Sequence, residues 1–153
     1  MHAAAAEQIH RMEGFNMKKE DYRILAVDDE AAICKLLSNV LGRAGYAVDT
    51  APSGVQALEC FSRHRYHLIL MDLKMPQMDG VETLKQIRKR DRRVPVYFIT
   101  AFQTEFLDRL KALKEDEIDF EIMQKPLDNR DLVEVVDRVI ASTYGSEDRG
   151  KKK

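Results

Sequence analysis

The chain has 153 residues, with 25 Lys and Arg against 26 Asp and Glu and a formal net charge of −1. That length suits one domain and strains two, and so even a charge argues against broad attraction to nucleic acid or an anionic membrane. No apolar run reaches the roughly 20 residues of a membrane span and no signal peptide is visible, so a cytoplasmic globular domain is expected, with Cys34 and Cys60 as reduced core residues.

Residues 1–21 carry no strand pattern and read as an N-terminal extension, either vector-derived before a start at Met17 or helical. Arg23–Val27 is a short run of β-formers. Ile33, Leu36, Leu37, Val40 and Leu41 then follow the spacing of a helix face, which Gly42 and Gly45 end. A second strand is expected over 46–51. Ser53 with Gln56 opens a helix bearing Val55, Leu58 and Phe61.

Leu68–Met71 is continuously apolar, as a strand buried on both faces must be. Asp79 with Glu82 marks the start of a helix through Leu84 and Ile87. Residues 94–100 read as the fourth strand and 102–113 as the fourth helix. Ile118, Phe120 and Ile122 alternate with acids, suggesting a half-exposed fifth strand at an edge. Asp128 caps a last helix carrying Leu132, Val135, Val136 and Val139, and residues 144–153 form a polar tail. Five strands alternating with five helices predict a parallel sheet covered on both faces, within a domain over 22–143.

In such a sheet, chemistry collects beyond the carboxyl ends of the strands. Asp28, Asp29 and Glu30 end the first strand, Asp72 the third, Thr100 the fourth, and Lys125 the fifth. Crowded carboxylates repel one another and favour a proton or a cation, and an all-oxygen set suits a hard ion such as Mg²⁺. An aspartate can itself attack phosphorus, while a hydroxyl and an ammonium stabilise the phosphoryl oxygens. Singly, each residue has an ordinary reading: a helix cap, a β-branched strand residue, a solvated charge. Their shared edge is what points to phosphoryl transfer.

Four strings carry a resemblance: Ile24-Leu25-Ala26-Val27-Asp28-Asp29-Glu30, Met71-Asp72-Leu73-Lys74-Met75-Pro76-Gln77-Met78-Asp79-Gly80, Ile99-Thr100-Ala101 and Lys125-Pro126-Leu127. Over residues 22–143 the chain resembles the response-regulator receiver family of two-component signalling. The resemblance implies a flavodoxin-like, doubly wound (βα)5 fold with strand order 2-1-3-4-5. It makes Asp72 the phosphoacceptor, Thr100 the switch hydroxyl and Lys125 the partner of the phosphoryl group. Mg²⁺, with Mn²⁺ as a substitute, would be held by Asp28, Asp29, Asp72 and the backbone carbonyl of Lys74. The Lys125–Pro126 bond is often cis in such proteins.

The implied partners are a sensor histidine kinase or histidine phosphotransfer protein as donor and a downstream protein on the face of helix four, strand five and helix five. Phe106, Arg109, Glu121 and Met123 are that face's candidate residues, with a homodimer left open, and no enzyme activity is expected beyond the protein's own phosphorylation and dephosphorylation. The chain, ending soon after the fifth helix, reads as a stand-alone receiver or a fragment of a longer regulator.

Two departures stand out. Ile122 occupies the strand-five switch position usually held by Tyr or Phe, with Phe120 expected two residues away on the same strand face. Coupling is then expected through aliphatic repacking or the helix after Thr100. Lys74 and Phe102 occupy the positions that tune hydrolysis; neither is a good base for water, and Phe102 could shield the acyl phosphate, so a long phosphoryl lifetime is expected. The basic run 88–93 reads first as a solvated helix end, and contact with a phosphate-bearing partner or nucleic acid is the minor alternative. His2, His10, His64 and His67 show no metal spacing, and the last two are expected at the surface. A phosphohydrolase with an aspartate nucleophile is disfavoured by Lys74, which stands where such enzymes place a second acid. A phosphate-independent interaction module is disfavoured by the complete acid set.

Overall fold

Alternation within the strands decides which side chains face which helix layer. The computed structural model describes residues 17–101 and 104–145. Strands β1 (Arg23–Val27), β2 (Ala47–Ala51), β3 (Leu68–Met71), β4 (Val96–Thr100) and β5 (Glu121–Gln124) form one parallel sheet in the order β2-β1-β3-β4-β5. The expected flavodoxin-like order is therefore present.

Helices α1 (Ala31–Arg43) and α5 (Asn129–Ile140) cover one face, where Leu37, Leu41, Leu132 and Val136 pack on Ile24, Ala26, Leu68 and Leu70. Helices α2 (Gly54–Arg63), α3 (Gly80–Arg90) and α4 (Leu107–Glu115) cover the other, where Ala57, Leu84, Ile87 and Leu110 meet Leu25, Val27, Ile69 and Met71. Every residue of β3 is fully buried, as its unbroken apolar run requires.

Local signals act as expected at most helix starts. Ser53, Asp79 and Asp128 each accept a backbone N–H in the first turn of α2, α3 and α5. At the end of α1, Gly45 adopts φ +112, a conformation costly for any residue with a Cβ. Gly80 answers a different demand: a Cβ there would stand 2.5 Å from the Asp72 carbonyl oxygen. Its N–H donates to Leu73 at 2.8 Å, so α3 begins directly against the backbone of the site.

Several expectations need correction. The fourth helix begins at Leu107, after a 3₁₀ turn over Thr104–Phe106, and runs to Glu115. Phe106 is buried in the core under α4, so it belongs to no partner face. β5 starts at Glu121, and Phe120 precedes it. The Phe120 ring is buried 5.5 Å from that of Phe98, while Ile122 is exposed at the sheet edge, so the two share no strand face.

His67 is also buried rather than on the surface. Its Nδ1 accepts the N–H of Arg23 at 3.0 Å, and its ring packs edge-on to Tyr22 and Tyr144. The basic run is only partly solvated, because Arg88 folds back to donate to the carbonyls of Asp91, Val94 and Asp119.

Met17 and Tyr144 pack against the α1/α5 side of the core, and Lys19 pairs with Asp137 at 3.3 Å. The expected extension over 1–16 and the tail beyond 145 lie outside the described residues, as does Phe102. No described helix is long and apolar enough to cross a membrane.

Candidate functional site

Parallel strands all deliver their carboxyl ends to the same edge, and four of these five ends bear the expected residues. Asp28 follows β1, Asp72 follows β3, Thr100 closes β4, and Lys125 follows β5. Asp28, Asp72 and Thr100 are buried, while Asp29 is exposed at the rim. Carboxylate oxygens of Asp28, Asp29 and Asp72 lie within 4.8 Å of one another. A cavity of about 480 Å³ opens over them, lined by Asp29, Asp72, Lys74, Thr100, Glu105 and Lys125 among others.

Lys125 is the one ammonium set against these acids among the described residues. Its Nζ donates to Asp28 Oδ2 at 3.1 Å and lies 3.9 Å from Asp72 Oδ2. The preceding strand brings it there, and the Lys125–Pro126 bond is cis, as the resemblance led one to expect. Asp28 is held on both sides, since its Oδ1 accepts the N–H of Glu30 at 2.9 Å. Beneath it, the Cys34 thiol donates to the Asp28 carbonyl at 3.2 Å, and burial pushes that thiol's pKa up. Cys34 is therefore a packed thiol, as expected; Cys60 is also free and half-buried.

Burial pushes the Asp72 carboxyl up to about 6, with the Asp28 charge adding to the rise. Lys125 and the N–H of Leu73 pull the other way without cancelling it. A carboxylate strained in this way is relieved by a cation, and the cluster offers carboxylate oxygens, with no His or Cys on the cavity wall among the described residues. The residues present thus suit a hard divalent ion.

The side chains expected at the site, those of Asp28, Asp29, Asp72, Thr100 and Lys125, converge, while Lys74, expected to offer only its backbone carbonyl, turns its ammonium to Glu105. It is 75% exposed and lies 3.3 Å from Glu105 Oε1 across the cavity mouth. Glu105 was not foreseen. Its pairing joins residues far apart in the chain and leaves no periodic trace. Arg109, expected on a partner face, instead grips Asp79 at 2.8 and 3.1 Å. Burial works to raise the Asp79 carboxyl, but the Arg109 guanidinium and the N–H of Glu82 hold it below the usual carboxylate range.

A doubly wound sheet with an acid cluster, a hydroxyl and a lysine at one edge defines a phosphoryl-transfer signalling module. The chain belongs to the response regulator receiver domain family, whose model matches residues 24–137. It is 38% identical over 132 residues to the transcriptional regulatory protein ZraR of Klebsiella oxytoca, covering 86% of this chain and 29% of that one. It is also 39% identical over 111 residues to a CpxR homolog of Haemophilus influenzae, covering 72% and 47%. The chain thus spans less than half the length of these relatives.

Among solved structures, chemotaxis protein CheY4 of Vibrio cholerae matches with a TM-score of 0.69 and 29% identity, over 77% of this chain and 98% of that one. The response regulator TrrA of Thermotoga maritima, solved in complex with Mg²⁺-BeF, matches with a TM-score of 0.66 and 32% identity, over 77% and 98%. This protein is therefore a receiver domain of the two-component response-regulator kind, a signalling module whose family takes phosphate from histidine kinases.

Proposed function

We propose that the protein accepts a phosphoryl group on Asp72 and signals through the surface that this group reshapes. The observation that carries the reading is the convergence of Asp28, Asp29, Asp72, Thr100 and Lys125 on one cavity.

A carboxylate oxygen of Asp72 attacks phosphorus of a donor phosphohistidine. The P–N bond breaks as the O–P bond forms, and the released imidazole recovers its proton from solvent. Lys125, already 3.9 Å from Asp72, exchanges part of its bond to Asp28 for a phosphoryl oxygen. The Thr100 hydroxyl, buried at the end of β4, donates to another. Asp28, Asp29 and Asp72, with the backbone carbonyl of Lys74, would hold Mg²⁺, or Mn²⁺ in its place, and the ion would supply neutralising charge at the transferring group.

The donor is a sensor histidine kinase or a histidine phosphotransfer protein. The output is a protein contact at the face of α4, β5 and α5, where exposed Ile122, Glu121 and Leu107 stand. A second copy of the chain is the alternative occupant of that face.

Beryllofluoride mimics a phosphoryl group on a carboxylate and provides the test. Titration with Mg²⁺ present is expected to shift the amide resonances of residues around Asp72, Thr100 and Lys125, and an Asp72→Asn variant is expected to show no shift. Equal responses in both proteins, or none in either, would contradict the assignment of Asp72.

A further inference from the structure

Two ionic contacts tie the stretch that follows Thr100 to the loop that follows Asp72. The Lys74 ammonium meets Glu105 at 3.3 Å, from two residues past Asp72 to the 3₁₀ turn before α4. One turn further on, Arg109 of α4 makes a forked pair with Asp79, the cap of α3, and its second nitrogen lies 3.5 Å from Glu82.

The two links differ in strength. A forked guanidinium–carboxylate pair is geometrically exacting, and the Asp79 side chain is 21% exposed. A single lysine–glutamate contact, with side chains 75% and 52% exposed, is weak and easily exchanged. The weak link is the one on the wall of the cavity that holds Asp72. A phosphoryl group on Asp72 would add roughly 1.5 to 2 negative charges there, attracting the Lys74 ammonium and repelling the Glu105 carboxylate. No aromatic on β5 offers another route, because Phe120 is packed on Phe98 and Ile122 faces out at the edge.

We propose that Lys74–Glu105 and Arg109–Asp79 form a two-point ionic clasp that holds α4 in its unphosphorylated position, and that phosphorylation of Asp72 opens it at Glu105. The inference rests on the phosphoacceptor reading given above. Arg109 is then a positioning residue and the pivot about which the freed turn moves.

The test compares the wild-type chain with Glu105→Gln and Arg109→Gln, and with Arg109→Lys as the conservative variant. Hydrogen–deuterium exchange over residues 104–115 is read before and after addition of Mg²⁺ and beryllofluoride, and phosphorylation by acetyl phosphate is followed by intact mass. Either glutamine variant should raise exchange in that stretch before any ligand is added, and should speed phosphorylation about two- to five-fold. The wild-type chain should reach the same exchange only with ligand, and Arg109→Lys should restore part of the protection.

Looser exchange with an unchanged phosphorylation rate would reduce both pairs to structural ties and overturn the clasp. Unchanged exchange in both glutamine variants would overturn it as well. A wild-type chain that takes up no phosphoryl group while its variants loosen would contradict the phosphoacceptor reading and, with it, the coupling.

Discussion

Asp72 is placed where its charge is costly, and that cost has a measurable sign. Its folded pKa, about 6, lies above the ordinary value of 3.8. Stability from the protonated carboxyl is thus fully present below about pH 4 and is lost as pH rises through about 6. In metal-free buffer at pH 7, Asp72→Asn should be more stable than the wild-type chain by on the order of 2 kcal/mol. The gap should close as pH falls from 6 to 4, and Mg²⁺ should narrow it at pH 7 by stabilising the wild-type chain alone. Urea titrations at four pH values would show this. A wild-type chain more stable than the variant in metal-free buffer at pH 7 would mean that Lys125 outweighs the burial of Asp72.

The elements around the site owe their placement to close backbone contact, most tightly at the start of α3. Gly80→Ala would drive a Cβ into the Asp72 carbonyl, the Leu73 Cα and the Phe98 ring, at 2.5, 3.0 and 3.0 Å. We expect a loss of about 1–3 kcal/mol in chemical denaturation, together with weaker Mg²⁺ binding as the Asp72 backbone shifts. Wild-type stability in this variant would mean that α3 can retreat freely.

The elements also show where sequence reading succeeds. β3 and the helix caps were legible because an unbroken apolar run and a capping side chain each have one local cause. β5 was misplaced because Ile118, Phe120 and Ile122 imitate strand alternation, whereas Phe120 is buried by Phe98 before the strand begins. His67 misled because its burial depends on a bond to Arg23 from 44 residues away. The site itself was legible almost whole, since parallel strands carry each end residue to one edge. Its ionic links to α4 were not, because a pair such as Arg109 with Asp79 depends on how two helices pack.

At the scale of the whole molecule, burial divides the sheet: β1, β3 and β4 are largely buried and carry Asp28, Asp72 and Thr100 at their ends, whereas β5 at the edge is largely exposed. That division suits a protein in which a small chemical change on one side chain must be read at a surface. The exposed Lys74 offers no base to activate water, so a phosphoryl group once attached should outlast seconds by a wide margin. The chemistry that this reading places at Asp72 follows from the convergence of three carboxylates and Lys125 at one sheet edge.

That chemistry is tested most directly by intact-protein mass after incubation with acetyl phosphate, with and without Mg²⁺, beside Asp72→Asn. The wild-type chain should gain one phosphoryl group only when Mg²⁺ is present, the variant should gain none, and the adduct should decay slowly after the donor is removed. A gain in Asp72→Asn equal to that of the wild-type chain, or no gain in the wild-type chain from acetyl phosphate or from a phosphorylated histidine donor, would contradict the account.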